Sequence, residues 1–317
     1  MRVAVLDLGS TSFHLLVVDV DSRGRMTRVL RRREVLHLAS DVAIHGHLSD
    51  SSATAAIRAA RVLRRAADAT KPAITIGAAT QALREAANGG ELLRQLQVAS
   101  RCPIRLLDGS EEARVVYEGV RWSIPLGDTP TLVVDLGGGS LELAVGVGED
   151  VRWDASYALG ASRLTGELLR EDPPTAEECQ AIIKHVSKTL APAASHLGRN
   201  HPYLPCVGTG GTIRALARLE LSRRGTSADN VNGVIVPTAR MYFWASQLTK
   251  LPRAKRLEIP GMADRRVDVL PAGALVLATL CEQLDLPGIT VSEGGLREGL
   301  ILEAVESRTR ELAAAER

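Results

Sequence analysis

One short pattern occurs twice in this chain, and it limits the possible folds more than any other feature of the sequence. The first copy is VAVLDLGSTS at residues 3–12, and the second is LVVDLGGGS at residues 132–140. Each copy predicts an apolar strand that ends in an aspartate, Asp7 or Asp135, followed by a turn of small residues and a second apolar strand. A repeat at this separation indicates two related domains.

The turn in each copy has the chemistry of an anion site. Successive backbone N–H groups in such a turn can converge on a phosphate, and a carboxylate at the strand end can support a metal ion. Gly137, Gly138 and Gly139 allow a ligand to approach the backbone closely. The period of two along the next strand places Ser140 and Glu142 on one face. A lone glycine-rich turn is equally typical of an ordinary hairpin, but two copies favour a phosphate site built from two halves.

The length and composition are typical of a globular enzyme with two domains. The chain has 317 residues, of which 45% are hydrophobic and 24% are charged, so neither disorder nor a membrane protein is indicated. No apolar run reaches the roughly 18 residues of a membrane-spanning helix, and the start of the chain lacks an export signal. We therefore expect a cytoplasmic protein with neither membrane nor nucleic-acid partners.

The cysteines and arginines exclude some sites and leave others open. Four scattered cysteines without a C-x-x-C pair argue against a zinc site and a disulfide framework, so buried, reduced thiols are expected. Arginine, the dominant basic residue, binds phosphate with parallel donors. Runs of arginine at residues 31–33, 64–65 and 265–266 fit a track for a polyanion. Solvated surfaces explain them equally well and are the commoner case.

The first half of the chain alternates strands and helices, as an α/β domain does. A strand near residues 28–37 is expected to lead into the first helix, which begins at Ser49 or Asp50. A later helix follows Asp108, and Glu112 lies in its first turn, off the buried face. That face consists of Ala113, Val116, Tyr117 and Val120.

The second half repeats this scheme. Its strands are predicted at residues 131–136, 139–147 and 151–158. A later helix is expected to open with a capping box between Thr175 and Glu178. Two further turns, at residues 208–212 and 292–295, each lie between a strand and a helix, where the helix N-terminus attracts anions. Neither matches the Walker pattern or G-x-G-x-x-G, so P-loop and Rossmann folds lose their main support.

Five motifs together resemble the exopolyphosphatase and guanosine pentaphosphate phosphatase family. They are DLGSTSFH at residues 7–14, ATQALR at 79–84, GSEEAR at 109–114, DLGGGSLE at 135–142 and LREG at 296–299. The match is collinear from residue 3 to about residue 304, and this breadth makes it specific. The resemblance implies an α/β, actin-like fold of two duplicated domains with the active site in the cleft between them. The expected domains are residues 1–124 and 125–300, with a helix at 301–317 packing back on the first.

The resemblance also implies roles for individual residues. Glu112 matches the glutamate that activates or orients the attacking water, and Arg84 matches the arginine that grips a phosphoryl group. Asp135 and Glu142 match the acidic pair that supports a metal ion and the water, with Asp7 as a further metal support. The expected cofactor is Mg²⁺ or Mn²⁺. The implied phosphate-binding residues are Asp7, Gly9, Ser10, Thr11, Ser12, Gly137, Gly138, Gly139, Ser140, Gly208, Thr209, Gly210, Gly211 and Thr212.

His14 occupies, in the first copy of the repeat, the position that Glu142 has in the second, and we interpret it as a packing or hydrogen-bonding residue. Two positions depart from the family pattern. Thr11 replaces the more usual asparagine, and Glu293 replaces the usual aspartate. Longer relatives carry an additional helical domain that extends the polyphosphate channel, so a preference for short or medium chains is expected here.

The implied activity is Mg²⁺-dependent release of orthophosphate from the end of inorganic polyphosphate. Removal of the 5′ phosphate of guanosine pentaphosphate uses the same groups, so the motifs leave guanosine penta- and tetraphosphate open as ligands. An actin-like kinase would share the repeated turns, but Glu112 argues against it. A nucleotide- or alarmone-binding protein without turnover is the remaining alternative. Relatives also suggest a homodimer.

Overall fold

The computed structural model describes residues 1–200 and 204–315. The chain forms two compact units. The first comprises Met1–Trp122 together with the segment that begins at Leu296, and the second is Ser123–Gly295. Each unit is built on its own mixed sheet with helices.

The sheet of the first unit has five strands in the order β3-β2-β1-β4-β5. The first three strands form an antiparallel meander, and β4 and β5 run parallel to β1. The strands are β1 (Arg2–Leu8), β2 (Ser12–Val20), β3 (Met26–Val35), β4 (Ile74–Ala79) and β5 (Ile104–Leu106). The helices of this unit are α1 (Leu38–His45), α2 (Asp50–Asp68), α3 (Gln81–Glu85), α4 (Gly89–Ser100), α5 (Gly109–Ser123) and α12 (Leu296–Ala315).

The sheet of the second unit repeats this order as β8-β7-β6-β9-β11, and β10 is added at the edge. The strands are β6 (Thr131–Leu136), β7 (Leu141–Val147), β8 (Asp150–Tyr157), β9 (Cys206–Thr209), β10 (Ile235–Pro237) and β11 (Gly288–Val291). The helices are α6 (Ala161–Leu168), α7 (Ala176–Asn200), α8 (Gly210–Arg223), α9 (Thr238–Lys250), α10 (Arg253–Leu257) and α11 (Leu270–Gln283). A meander followed by strands parallel to its first strand, present in both units, is the duplicated actin-like arrangement that was predicted.

Both faces of the first sheet are buried, which explains its nearly continuous apolar strands. Successive residues of a strand point to opposite faces. Leu15 of β2 therefore packs with Leu63 of α2 on one face, and its neighbour Leu16 packs with Ile301 of α12 on the other. The final helix α12 thus completes the core of the first unit.

Two predicted helix starts are confirmed. The Ser49 hydroxyl accepts a hydrogen bond of 3.3 Å from the N–H of Ser52, so α2 begins with a side-chain cap. Thr175 and Glu178 form the predicted capping box: the Glu178 carboxylate accepts the Thr175 N–H at 2.8 Å, and the Thr175 hydroxyl accepts the Glu178 N–H at 3.2 Å. These local signals were sufficient because each cap involves residues that are close in sequence.

Two predictions of local structure were wrong. Helix α1 was missed because it is short and starts after His37, whose left-handed backbone has φ of 57° and no side-chain cap. The turn predicted at residues 208–212 is instead a direct junction, because β9 continues to Thr209 and α8 begins at Gly210. Gly208 serves packing: a Cβ there would lie 2.5 Å from Cγ2 of Ile289.

The cysteines mostly agree with the expectation of buried thiols. Cys102, Cys206 and Cys281 are buried and reduced, whereas Cys179 is only half-buried. Burial raises the pKa of the Cys281 thiol to about 11, which keeps it protonated and unreactive at neutral pH. In the described part of the chain, no helix combines the length and the apolar character needed to span a bilayer.

Candidate active site

The turn between β1 and β2 is held by the start of helix α1. The carbonyl of Ser10 accepts the N–H of Ala39 at 2.8 Å, and the carbonyl of Thr11 accepts the N–H groups of Leu36 and His37, both at 2.9 Å. The bond from Ala39 satisfies one of the donors that a helix leaves free at its N-terminus, and the other two hold the residues just before the helix. These bonds also fix the direction in which the turn carbonyls point.

The turn between β6 and β7 is held in the same way by helix α6. The carbonyls of Gly137, Gly138 and Gly139 accept N–H groups of Ala161 (3.1 Å), Arg163 (3.0 Å) and Gly160 (3.0 Å), respectively. In a trans peptide the N–H points away from the C=O, so the N–H groups that follow these carbonyls are directed away from α6. Among the residues described, no bond engages the N–H groups of Gly138 and Gly139. This arrangement is suited to an anion.

Gly160 makes the closest contact beneath this turn, and it provides a test of the turn. A Cβ at position 160 would lie 2.2 Å from the carbonyl carbon of Gly139 and 2.4 Å from that of Gly138. We expect Gly160→Ala to displace the turn, destabilise the fold by about 1–3 kcal/mol and weaken binding of orthophosphate in calorimetry. Gly198→Ala on α7 is the control, since open space surrounds that position. Unchanged phosphate affinity in Gly160→Ala would contradict an anion-binding role for the turn.

A polar row crosses the second sheet at the end of strand β6. Its members are Cα partners on four neighbouring strands: Thr209, Asp135, Glu142 and Ser156. Glu142 is only 2% exposed, and the Ser156 hydroxyl donates a 2.8 Å hydrogen bond to its Oε1. Asp135 and Glu142, predicted as an acidic pair, are thus neighbours across β6 and β7.

The first sheet has the corresponding row with different chemistry. It contains Ala78, Asp7, His14 and Arg33. His14 therefore faces Asp7 as Glu142 faces Asp135, which confirms the equivalence expected from the repeat. The His14 Nε2 lies 2.9 Å from the Ser12 hydroxyl, in agreement with a hydrogen-bonding role.

Asp135 also borders the start of helix α8. A Cβ at Gly210 would lie 2.4 Å from Oδ1 of Asp135, and Gly210 has φ of +93°. Both the space and the backbone conformation therefore require glycine here. As a result, the carboxylate stands beside the positive end of a helix, where negative charge is stabilised.

The side chains of Thr209 and Thr212 are buried inside the second unit. The Thr209 hydroxyl donates to the carbonyl of Gly294 at 2.7 Å and accepts a 2.9 Å hydrogen bond from Nη1 of Arg214. Thr212 is fully buried, and a Cβ at Gly273 would lie 2.5 Å from its Cγ2. The Thr209 hydroxyl is therefore occupied within this unit, whereas Oγ1 of Thr212 is buried without a hydrogen-bond partner among the described residues. The phosphate-binding role of both threonines stays a prediction.

Arg266 lies at the junction between β9 and α8, a position that the sequence analysis did not predict for it. A Cβ at Gly211 would lie 1.8 Å from Nη2 and 2.4 Å from Cζ of Arg266, so glycine at position 211 makes room for the guanidinium. In the sequence the Arg265-Arg266 pair resembles any charged surface run. Only the packing of this segment against α8 distinguishes Arg266.

Arg84 and Glu112, predicted as catalytic residues from separate motifs, form an ion pair in the first unit. Nη1 of Arg84 lies 3.5 Å from Oε2 of Glu112 and donates a 2.6 Å hydrogen bond to the carbonyl of Leu107. Glu112 was predicted to lie off the buried face of its helix, yet it is only 7% exposed. Helix periodicity identifies only the face towards the core; it cannot identify a second buried contact with α3.

A capping box determines where the Glu112 helix begins. The carboxylate of Asp108 accepts the N–H of Glu111 at 2.8 Å, and the carboxylate of Glu111 accepts the N–H of Asp108 at 2.9 Å. This reciprocal pattern starts α5 directly after β5. Glu112 is consequently held in the first helical turn, next to Arg84.

Asp135 and Glu142 have the oxygen donors that a hard cation prefers. In the part of the chain that the structure covers, no three His, Cys, Asp or Glu side chains are grouped as a metal site. Mg²⁺ usually takes one or two protein carboxylates and completes its octahedron with water and phosphate oxygens. Asp135 and Glu142 offer such a donor pair, and oxygen donors suit Mn²⁺ as well. The metal and the supporting role of Asp7 stay predictions.

Comparison with known proteins agrees with this architecture. A crystal structure of a Ppx/GppA family member from Aquifex aeolicus shares 28% identity and has a TM-score of 0.81, covering 97% of this chain and 98% of that chain. An exopolyphosphatase from Cytophaga hutchinsonii has a TM-score of 0.87 at 22% identity, with the same coverage, and shows likeness of fold. An exopolyphosphatase-like protein has a TM-score of 0.84 at 25% identity, covering 96% and 97% of the two chains.

The sequence model of the Ppx/GppA phosphatase family matches residues 16–308, which is nearly the whole chain. This match includes Arg84, Glu112, Asp135 and Glu142, whose positions are described above. The chain therefore belongs to the Ppx/GppA phosphatase family and is a hydrolase that acts on phosphoanhydride bonds.

Proposed function

We propose that this protein is a Mg²⁺-dependent exopolyphosphatase, which removes the terminal phosphate of inorganic polyphosphate and releases orthophosphate. The ion pair between Arg84 and Glu112 is the observation that carries the proposal. It joins a group that can bind a phosphoryl oxygen to a carboxylate that can orient water. Phosphoryl transfer depends mainly on such positioning and on neutralisation of charge.

In the proposed reaction, water attacks the terminal phosphorus and the bond to the bridging oxygen breaks. Glu112 orients the water and accepts its proton, while the shortened chain leaves with the bridging oxygen. The guanidinium of Arg84 binds an oxygen of the transferred phosphoryl group. Backbone N–H groups of the turn at residues 137–140 hold phosphate, as oriented dipoles do in anion sites. A bound Mg²⁺ would neutralise phosphate charge beside Asp135 and Glu142.

A phosphate-release assay tests this proposal. The wild-type protein is given long-chain polyphosphate, tripolyphosphate, guanosine pentaphosphate or ATP, each with Mg²⁺ or with EDTA. We expect release of orthophosphate from polyphosphate with Mg²⁺ and loss of that release with EDTA. Faster turnover of guanosine pentaphosphate would favour a pentaphosphate phosphohydrolase that uses the same residues. No release from any substrate would overturn the proposed hydrolysis and favour a binding protein.

Chain length provides a separate prediction. We further propose that kcat/KM is higher for defined polyphosphates of a few units than for chains of hundreds of units. Initial rates on size-fractionated substrates, expressed per chain end, measure this preference. Higher kcat/KM per end on the longest chains, or release without dissociation between cleavages, would contradict it.

A further inference from the structure

The first turn of helix α12 places a buried arginine next to Asp7. The side chain of Arg297 is only 10% exposed, and its Nε lies 4.0 Å from Oδ2 of Asp7. Its Nη1 is buried and has no hydrogen-bond partner in the described portion of the chain. None of the roles assigned above involves this residue.

A buried guanidinium with an incomplete set of partners is costly. Removing a charge from water is compensated only when opposite charges and hydrogen bonds replace the lost solvation, and buried polar groups without a partner are rare in native proteins. The same helix offers a contrast, because Arg105 of β5 pairs with Glu303 of α12 at 2.9 Å and both side chains are about half exposed. Because the side chains of that surface pair stay in contact with water, they need no further partners to replace lost solvation.

The Asp7 carboxylate stands between Arg297 and the turn at residues 9–12. One oxygen, Oδ2, faces the guanidinium. The other, Oδ1, would lie 3.5 Å from a Cβ at Gly9, the first residue of the turn. The rotation of this carboxylate therefore decides which oxygen faces the turn, and Arg297 is a charged neighbour of the other oxygen.

Helix α12 holds Arg297 rigidly. A Cβ at Gly299 would lie 2.0 Å from the carbonyl oxygen of Val115, so α12 approaches the backbone of α5 very closely. Leu300 and Ile301 are buried in the core of the first unit. Since α5 carries Glu112 and β1 carries Asp7, one rigid helix connects the elements that bear both carboxylates. A functional side chain on a fixed element is held more accurately than one on a loop.

We propose that Arg297 is a positioning residue for the hydrolysis: it orients the Asp7 carboxylate towards the turn at residues 9–12. This inference rests on the proposed function. Asp7 is the group that Arg297 acts through, and the long separation of 4.0 Å is expected to shorten when phosphate occupies the turn.

A double-mutant cycle tests this role. The variants are Arg297→Gln, Asp7→Asn and the combination, with Arg297→Lys to retain the charge and Arg105→Gln as a matched control that breaks the surface pair of α12. Each is assayed with tripolyphosphate for kcat and KM, with orthophosphate for binding by calorimetry, and by thermal unfolding. We expect Arg297→Gln to lower kcat about 10- to 100-fold, as substitutions behind a functional carboxylate do.

The expected pattern is specific to positioning. Arg297→Lys should recover part of the lost kcat, Arg105→Gln should behave as wild type, and the double variant should be no slower than Asp7→Asn alone. The positioning role of Arg297 would be overturned if the double variant lost kcat by the product of the two single losses. An unchanged kcat in Arg297→Gln would overturn it as well. If wild type hydrolyses none of the substrates, the proposed function fails instead. In that case the affinity for orthophosphate decides whether Arg297 acts through Asp7. If the two substitutions change this affinity independently, or if orthophosphate does not bind at all, the role of Arg297 is rejected.

Discussion

Glu112→Gln is expected to lower kcat for polyphosphate hydrolysis by about 10²- to 10⁴-fold, the usual contribution of a general base. Glutamine has nearly the same shape as glutamate, but it cannot accept the proton of the attacking water. KM should change much less, since Arg84 and the phosphate turns are left in place. Steady-state phosphate release and calorimetric binding of tripolyphosphate measure the two effects separately.

The neighbouring residue provides the control for this experiment. Glu111→Gln alters the adjacent position of the same helical turn, and glutamine also serves in a capping box. We expect its kcat to remain close to that of wild type. If Glu112→Gln turns over as fast as Glu111→Gln, Glu112 is not the base. Its contact with Arg84 would then be only structural.

Glu220→Gln is expected to have the largest effect on stability, about 3 kcal/mol at neutral pH. The Glu220 side chain on α8 is completely buried, and arginines surround it. Arg223 and Arg224 each approach Oε1 at 2.8 Å, and Arg240 approaches Oε2 at 2.9 Å. Glutamine would leave these charges without their shared carboxylate. Urea unfolding at pH 7 measures the change in free energy.

The pH dependence of this difference has a definite sign. Burial alone would raise the pKa of Glu220, but hydrogen bonds from Arg223, Arg240 and Arg224 outweigh it and lower the pKa from 4.5 to about 2. Because the folded pKa lies below the unfolded value, the stabilisation is complete above about pH 4.5 and is lost as the pH falls towards 2. The shift corresponds to at most about 3 kcal/mol, less some screening because the arginines reach solvent.

We therefore expect the difference in unfolding free energy between wild type and Glu220→Gln to be constant from pH 7 to pH 5 and to become smaller at lower pH. Glu258→Gln is the control, since Glu258 pairs with Lys255 on the surface and both side chains are more than half exposed. Such pairs contribute about 0–1 kcal/mol. The stabilising role of this network would be contradicted if the difference in unfolding free energy between wild type and Glu220→Gln grew in acid. It would also be contradicted if that difference were no larger than the one between wild type and Glu258→Gln.

Local signals in the sequence predicted much of the architecture and part of the site. The repeated strand-turn-strand pattern placed Asp7 and Asp135 at equivalent strand ends, and the register confirms that His14 and Glu142 are equivalent as well. The capping box at Thr175 was recognised for the same reason. In each case the controlling interactions join residues that are close in sequence, so a period or a cap reveals them.

Interactions between residues that are distant in sequence could not be predicted from such local signals. The burial of Glu112 depends on Arg84 of another helix, and the surroundings of Asp7 depend on Arg297 near the opposite end of the chain. Likewise, the position of Arg266 beside Gly211 follows from the packing of its segment on α8. Charged residues are mostly exposed, so composition alone favours a surface position for each of these side chains.

The amino-acid pattern was thus enough to predict the duplicated sheets and the turn that follows the first strand of each meander, because periodicity and turn chemistry act over a few neighbouring residues. The folded arrangement was needed to select which charges meet: Arg84 with Glu112, Arg297 with Asp7, and the buried Glu220 with arginines that partly reach solvent. The physical reason is that burial removes water from these groups. Their ionisation, orientation and energetic weight then depend on partners that only the packing of distant elements provides.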